Sequence, residues 1–144
     1  MSEVKKSNFE PKIIVFACNW CTYTGCDQAG RSRMQRPPNV RIIRHMCSGR
    51  IDPLNILYAL KNGADGVIIG ACHLGDCHYV SGNFKKVRRA ALLKTYIEQL
   101  GYNPKRLQMW HISASEGAEF TEKIKEYINE LKEIGPNPSK KILK

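Results

Sequence analysis

The chain has 144 residues, 42% of them hydrophobic, which suffices for one domain with a real core and makes stabilising disulfides unnecessary. Lys and Arg number 23 against 13 Asp and Glu, a formal charge of +10 that, with no nucleic-acid motif beside it, favours an acidic protein partner over RNA or DNA. The polar start and the short first apolar run, Ile13 to Ala17, predict a cytoplasmic protein without membrane insertion, so its six cysteines read as metal ligands or redox thiols before disulfides.

Residues 1–11 are expected to be flexible. Lys12 to Ala17 is a continuous apolar run of strand length, and Asp27 to Arg36 predicts a short helix stopped by Pro37 and Pro38. Arg41 to Met46 is a second, weaker strand. Asp52 and Pro53 then form a helix start, with Asp as N-cap and Pro at the first helical position. Leu57, Leu60 and Ala64 share one face of that helix, and Gly63 ends it. Gly66 to Ala71 is the third strand. Phe84, Val87, Ala91 and Leu100 mark a long basic helix that ends at Gly101, and Leu107 to Ile112 is the fourth strand. Ser113 with Glu116 fits a capping box for a last helix, which carries Phe120, Ile124, Ile128 and Leu131 on one stripe. The polar tail, 136–144, is expected to fray.

Continuous rather than alternating apolar strands indicate a sheet covered on both faces. The βαβαβαβα order therefore predicts a single-domain α/β fold over residues 12–135. It is a doubly wound, four-stranded parallel sheet, flavodoxin-like or Rossmann-like. Such sheets place their sites outside the C-terminal strand ends.

The cysteines fall at those ends. Cys18, Cys47 and Cys72 each directly follow a strand, and Cys77 lies in the same loop as Cys72. Several soft thiolates converging on one point are what an iron–sulfur cluster needs. A buried cysteine is often only a small hydrophobe, a reading that suits Cys26 but fits poorly with three strands that each end in Cys. Cys21 is either a ligand or a fifth thiolate beside the site. A Cys18-x2-Cys21 dithiol of thioredoxin type would leave Cys47, Cys72 and Cys77 unexplained. A structural zinc fits the ligand types, although a chain with an adequate core does not need one. His73 and His78 flank the last two cysteines, where they would ligate iron, donate to a cluster sulfur or face solvent. No dinucleotide or Walker pattern, nucleophile–base pair or paired carboxylates are present, so no substrate-converting active site is expected. Six Arg and one acid lie between Asp27 and Arg50, a density that suggests a docking face for an acidic partner, the alternative being an ordinary solvated surface.

Longer motifs carry a resemblance. They are Cys18-Asn-Trp-Cys21, Arg44-His-Met-Cys47-Ser-Gly-Arg50-Ile-Asp-Pro53, Gly63-Ala-Asp-Gly66, Cys72-His-Leu-Gly-Asp-Cys77-His-Tyr79, Gly82-Asn83 and Ser113-Ala-Ser-Glu-Gly117. From about Lys12 to Phe120 the chain resembles the iron–sulfur delta subunit of the methyl-viologen-reducing hydrogenase of methanogenic archaea. The resemblance implies one [2Fe–2S] cluster in an electron-transfer subunit of an oxidoreductase complex. Its partners would be the small and large subunits of a [NiFe] hydrogenase, or a formate dehydrogenase, and the flavin subunit of heterodisulfide reductase. That complex bifurcates electrons between ferredoxin and the coenzyme M–coenzyme B disulfide. The family's five cysteines map onto Cys18, Cys21, Cys47, Cys72 and Cys77, and Cys26 stands outside them. Strand-end position selects Cys18, Cys47, Cys72 and Cys77 as the cluster ligands, with Cys21 as a possible swap ligand. The competing expectation is a zinc- or thiol-based binding module without a cluster.

Overall fold

The computed structural model describes residues 9–19, 23, 39–72, 82–112 and 115–141, and every structural statement below concerns those. Four strands, β1 (Ile13–Cys18), β2 (Val40–His45), β3 (Gly66–Ala71) and β4 (Leu107–His111), form one sheet in the order β2-β1-β3-β4. All three pairings are parallel, as the continuous apolar runs require. Every residue of β3 is buried, and so is all of β1 except the half-buried Ile14. β2 is an edge strand and buries only Val40, which explains why its sequence reads as the weakest strand.

Three helices flank the sheet: α1 (Pro53–Lys61), α2 (Gly82–Gln99) and α3 (Gly117–Ile134). α1 and α2 pack on one face, where Ile56, Leu60, Ala90, Leu93 and Ile97 meet Phe16, Val67 and Ile69. α3 covers the other face, where Phe120, Ile124, Tyr127 and Leu131 meet Ile13, Val15 and Ile68. Helices on both faces of a parallel sheet make the fold doubly wound, as the sequence predicts. The connections from β1 and β3 diverge to opposite sides of the sheet, so the strand order reverses between these two neighbours.

The helix starts and stops are local. The Asp52 side chain accepts a hydrogen bond from the Leu54 amide at 2.9 Å, and Pro53 occupies the first turn. Gly63 and Gly101 take φ values of 100° and 93° just beyond α1 and α2, a region that favours glycine. Gly66 serves close approach instead: a Cβ there would lie 2.7 Å from Leu131 Cδ1 and from Tyr127 Oη. Its bare backbone lets α3 settle onto β3.

Three expectations are corrected. The buried stripe of α2 is Lys86, Ala90, Leu93 and Ile97, whereas Ala91 and Leu100 face solvent. A lysine in the stripe hides its phase from a hydrophobicity reading. In α1 the stripe is Ile56, Ala59 and Leu60, and Leu57 is only partly buried beside it. α3 begins at Gly117 with Glu116 at the N-cap and no side-chain capping bond, so Glu116 is not the third helical residue of a capping box. Ser113 lies outside the described residues, as does the expected helix at Asp27 to Arg36.

The start of the tail is packed, not frayed. Asn137 is buried; its amide donates to Asp65 Oδ1 at 2.9 Å, and its Nδ2 donates to the Leu60 and Ala64 carbonyls at 2.7 and 2.6 Å. The Arg106 guanidinium, also buried, donates to the carbonyls of Asp65, Gly135 and Pro136 at 2.9 to 3.0 Å. Asp65 Oδ2 accepts the Lys12 amide at 2.8 Å. This polar knot ties the chain entering β1 and β3 to the end of α3, at the sheet edge opposite the cysteines.

Candidate functional site

Two of the expected ligands meet where the strand order reverses. Cys18 is the last residue of β1, and Cys72 directly follows β3, the neighbouring strand. Their sulfurs are 3.6 Å apart, and each residue is only 1% exposed. Among the described residues, Cys18, Cys47 and Cys72 form no disulfide with one another. A tetrahedral metal with sulfur ligands at about 2.3 Å would set two of its thiolates roughly 3.8 Å apart. The Cys18–Cys72 pair therefore matches one edge of such a tetrahedron, and its soft donors suit iron or zinc.

The third strand-end cysteine lies at the same edge. Cys47 is buried in the turn after β2, and its carbonyl accepts the Arg50 amide at 3.0 Å. The carbonyl of its neighbour Met46 is 4.0 Å from the Cys18 sulfur. Residues Ser48–Arg50 form a 3-10 turn that packs against β1, β3 and α2. Among the described residues, no group of three or more His, Cys, Asp and Glu is gathered closely enough to hold a metal ion. The contact thus brings Cys18 and Cys72 together, with Cys47 in the adjoining turn. Cys77, Cys21 and Cys26 lie outside the described residues, as do His73 and His78.

Sequence reasoning passed over three further groups. His45 ends β2 in register with Cys18, and its ring centroid is 5.6 Å from that of Phe16. Its Nε2 is buried and has no hydrogen-bond partner among the described residues. Desolvation, and secondarily the charge of Lys86, holds its pKa below the usual histidine range. His111 ends β4, and its Nδ1 is 2.8 Å from the Cys72 carbonyl. The rule that singles out the cysteines, position at a C-terminal strand end, would have found both histidines. Lys86 is wholly buried, and its Nζ donates to the Ile51 carbonyl at 2.8 Å. Within a basic helix nothing distinguishes it from its solvated neighbours.

Arg41, Arg44 and Arg50 are exposed on and after β2, and the Arg44 guanidinium lies 5.4 Å from the Tyr23 ring centroid. Met46, half exposed, lies between Arg44 and Cys47 in the chain. Arg31, Arg33 and Arg36 lie outside the described residues. Among the described residues, no helix is long and apolar enough to cross a membrane.

A doubly wound α/β domain with buried thiols in contact at its switch point is a thiolate-site domain, suited to a soft metal or to thiol redox chemistry. Residues 13–135 match the family of the methyl-viologen-reducing hydrogenase delta subunit, and the chain belongs to that family. It is 54% identical over 129 residues to the vhc iron-sulfur subunit of the F420-non-reducing hydrogenase of Methanococcus voltae, covering 90% of each chain. It is 49% identical over 128 residues to the iron-sulfur subunit of the F420-non-reducing hydrogenase of Archaeoglobus profundus, covering 89% of this chain and 93% of that one. A third relative is longer. It belongs to the ferredoxin/F(420)H(2)-dependent CoB-CoM heterodisulfide reductase of Methanosarcina acetivorans, and is 48% identical over 126 residues, which are 88% of this chain and 16% of that protein.

Proposed function

We propose that this protein is a cytoplasmic electron-transfer subunit holding one [2Fe–2S] cluster on Cys18, Cys47, Cys72 and Cys77, with Cys21 as a possible swap ligand. The observation that carries the reading is the buried Cys18–Cys72 pair at 3.6 Å, in a chain whose relatives are named iron-sulfur subunits. When bound, the cluster supplies one-electron exchange. The protein's own contribution is to converge the thiols, exclude water from them and present the site to partners. Electrons would pass from a [NiFe] hydrogenase, or a formate dehydrogenase, to the flavin subunit of heterodisulfide reductase. Related sequence occurs both in hydrogenases, as a separate chain, and within a longer chain of heterodisulfide reductase, which supports a position between the two. The chain is then part of an oxidoreductase without a substrate-converting site of its own.

Anaerobically isolated protein is expected to contain about two irons and two acid-labile sulfides per chain. The same sulfur–sulfur distance also suits zinc or a redox dithiol, so stoichiometric zinc, or thiols without metal, would overturn the cluster reading in favour of a binding or redox module.

The arginine-rich segment is expected to dock an acidic partner. Reversing two of Arg31, Arg33 and Arg36 to Glu should weaken capture of one partner subunit, most at low salt, because exposed charges are screened as salt rises. The visible spectrum should be unchanged, as none of the three is a ligand. Unaltered binding of both neighbours would mark the segment as ordinary solvated surface.

A further inference from the structure

α2 starts at the C-terminal edge of the sheet, soon after Cys77 in sequence. Its first turns carry Lys85, Lys86, Arg88 and Arg89 and no acid. Arg88 lies in solvent, and Arg89, also exposed, donates to the Gly49 carbonyl at 2.7 Å. Lys86 differs from both. It is completely buried, and its one described hydrogen bond, to the Ile51 carbonyl, is to a neutral group. Lysine is almost never fully buried without a compensating charge, because stripping water from an ammonium is costly. Burial, then repulsion from Arg89, pushes the Lys86 pKa down to about 8, and Asp52 acts in the opposite direction. At neutral pH the side chain is still mostly cationic. Among the described residues, the charged and titratable groups acting on it are Arg89, His45 and Asp52, of which Asp52 is acidic.

The location suggests what compensates it. Lys86 and Arg89 together hold residues 49–51, the turn that directly follows Cys47. That turn packs against β1 and β3, the strands that deliver Cys18 and Cys72. We propose that Lys86 is a positioning and charge-balancing residue of the thiolate site: its ammonium fastens the Cys47 turn through Ile51 and offsets the negative charge of the group that the cysteines hold. The inference rests on the cluster reading above. A cluster bound by four thiolates is anionic and becomes more so when it takes up an electron, so a nearby buried cation favours the reduced form. Arg88 is screened by water and should contribute far less.

The test compares Lys86→Gln, which keeps a donor for Ile51 but removes the charge, with Lys86→Arg, which keeps the charge. Iron and sulfide are assayed first in the unaltered protein; their absence would sink the cluster reading and this inference with it. Each loaded variant is then titrated anaerobically with dithionite against redox dyes. Lys86→Gln is expected to shift the oxidised-to-reduced ratio at fixed potential about tenfold toward oxidised, or about 59 mV more negative for a one-electron couple. Lys86→Arg should restore most of that shift, and Arg88→Gln should leave the potential unchanged. If Lys86→Gln fails to load a cluster, loading of Lys86→Arg supports the charge role. An iron-loaded Lys86→Gln protein with an unchanged potential would overturn the inference alone, as would failure of both variants to load while their circular dichroism stays that of the unaltered protein.

Discussion

Replacing Cys18 or Cys72 by Ser is expected to remove most of the bound iron and the visible absorbance that accompanies it. The two sulfurs are in contact at 3.6 Å and are shielded from water. Loss of either leaves one soft donor facing a harder hydroxyl, a poorer ligand for iron–sulfur chemistry. Serine nearly preserves the shape, so the fold should survive at a cost of about 1–3 kcal/mol for the buried hydroxyl. Far-ultraviolet circular dichroism then separates loss of the cluster from loss of the fold. The same substitution at Cys47 or Cys77 is expected to lose or alter the cluster. Cys21→Ser should keep it, unless Cys21 exchanges into the ligand set, and Cys26→Ser should leave the spectrum unchanged. A bleached Cys26→Ser protein beside a coloured Cys47→Ser protein would show the ligand assignment to be wrong.

Asp65→Ala should be the most damaging single change to stability. The carboxylate is wholly buried and accepts the amides of Lys12 and Asn137 at 2.8 and 2.9 Å. Burial lowers the Arg106 pKa, and the Asp65 charge partly opposes that shift. Alanine would leave the Lys12 and Asn137 amides without their acceptor and remove a carboxylate whose charge favours the Arg106 cation. Leaving a buried donor without its acceptor costs about 1–3 kcal/mol for each group. For a domain of this size that corresponds to a fall in Tm of roughly 10 °C. The knot lies at the sheet edge away from the cysteines, so the visible spectrum of the cluster-loaded protein at low temperature should not change. A Tm within a few degrees of the unaltered protein would mean that water or relaxation replaces the lost partners.

The sequence by itself determined what depends on short-range chemistry. Unbroken apolar runs at Ile13 to Ala17 and Gly66 to Ala71 dictate strands buried on both faces. Asp52, Pro53, Gly63 and Gly101 punctuate the helices through capping and backbone preference, which neighbouring residues settle on their own. The position of three cysteines after strands was legible for the same reason. What only the tertiary structure decided are contacts between distant segments. Cys18 and Cys72, 54 residues apart, touch because β1 and β3 are neighbours, which the strand order sets and periodicity does not. Lys86 reads as a solvated residue of a basic helix until the turn after Cys47 is laid over it. Asn137 reads as part of a polar tail until Asp65, Leu60 and Ala64 converge on it from more than 70 residues away. A buried polar group is stable only when partners meet it, and those partners are assembled by the packing of helices on the sheet rather than by the residues beside it in the chain.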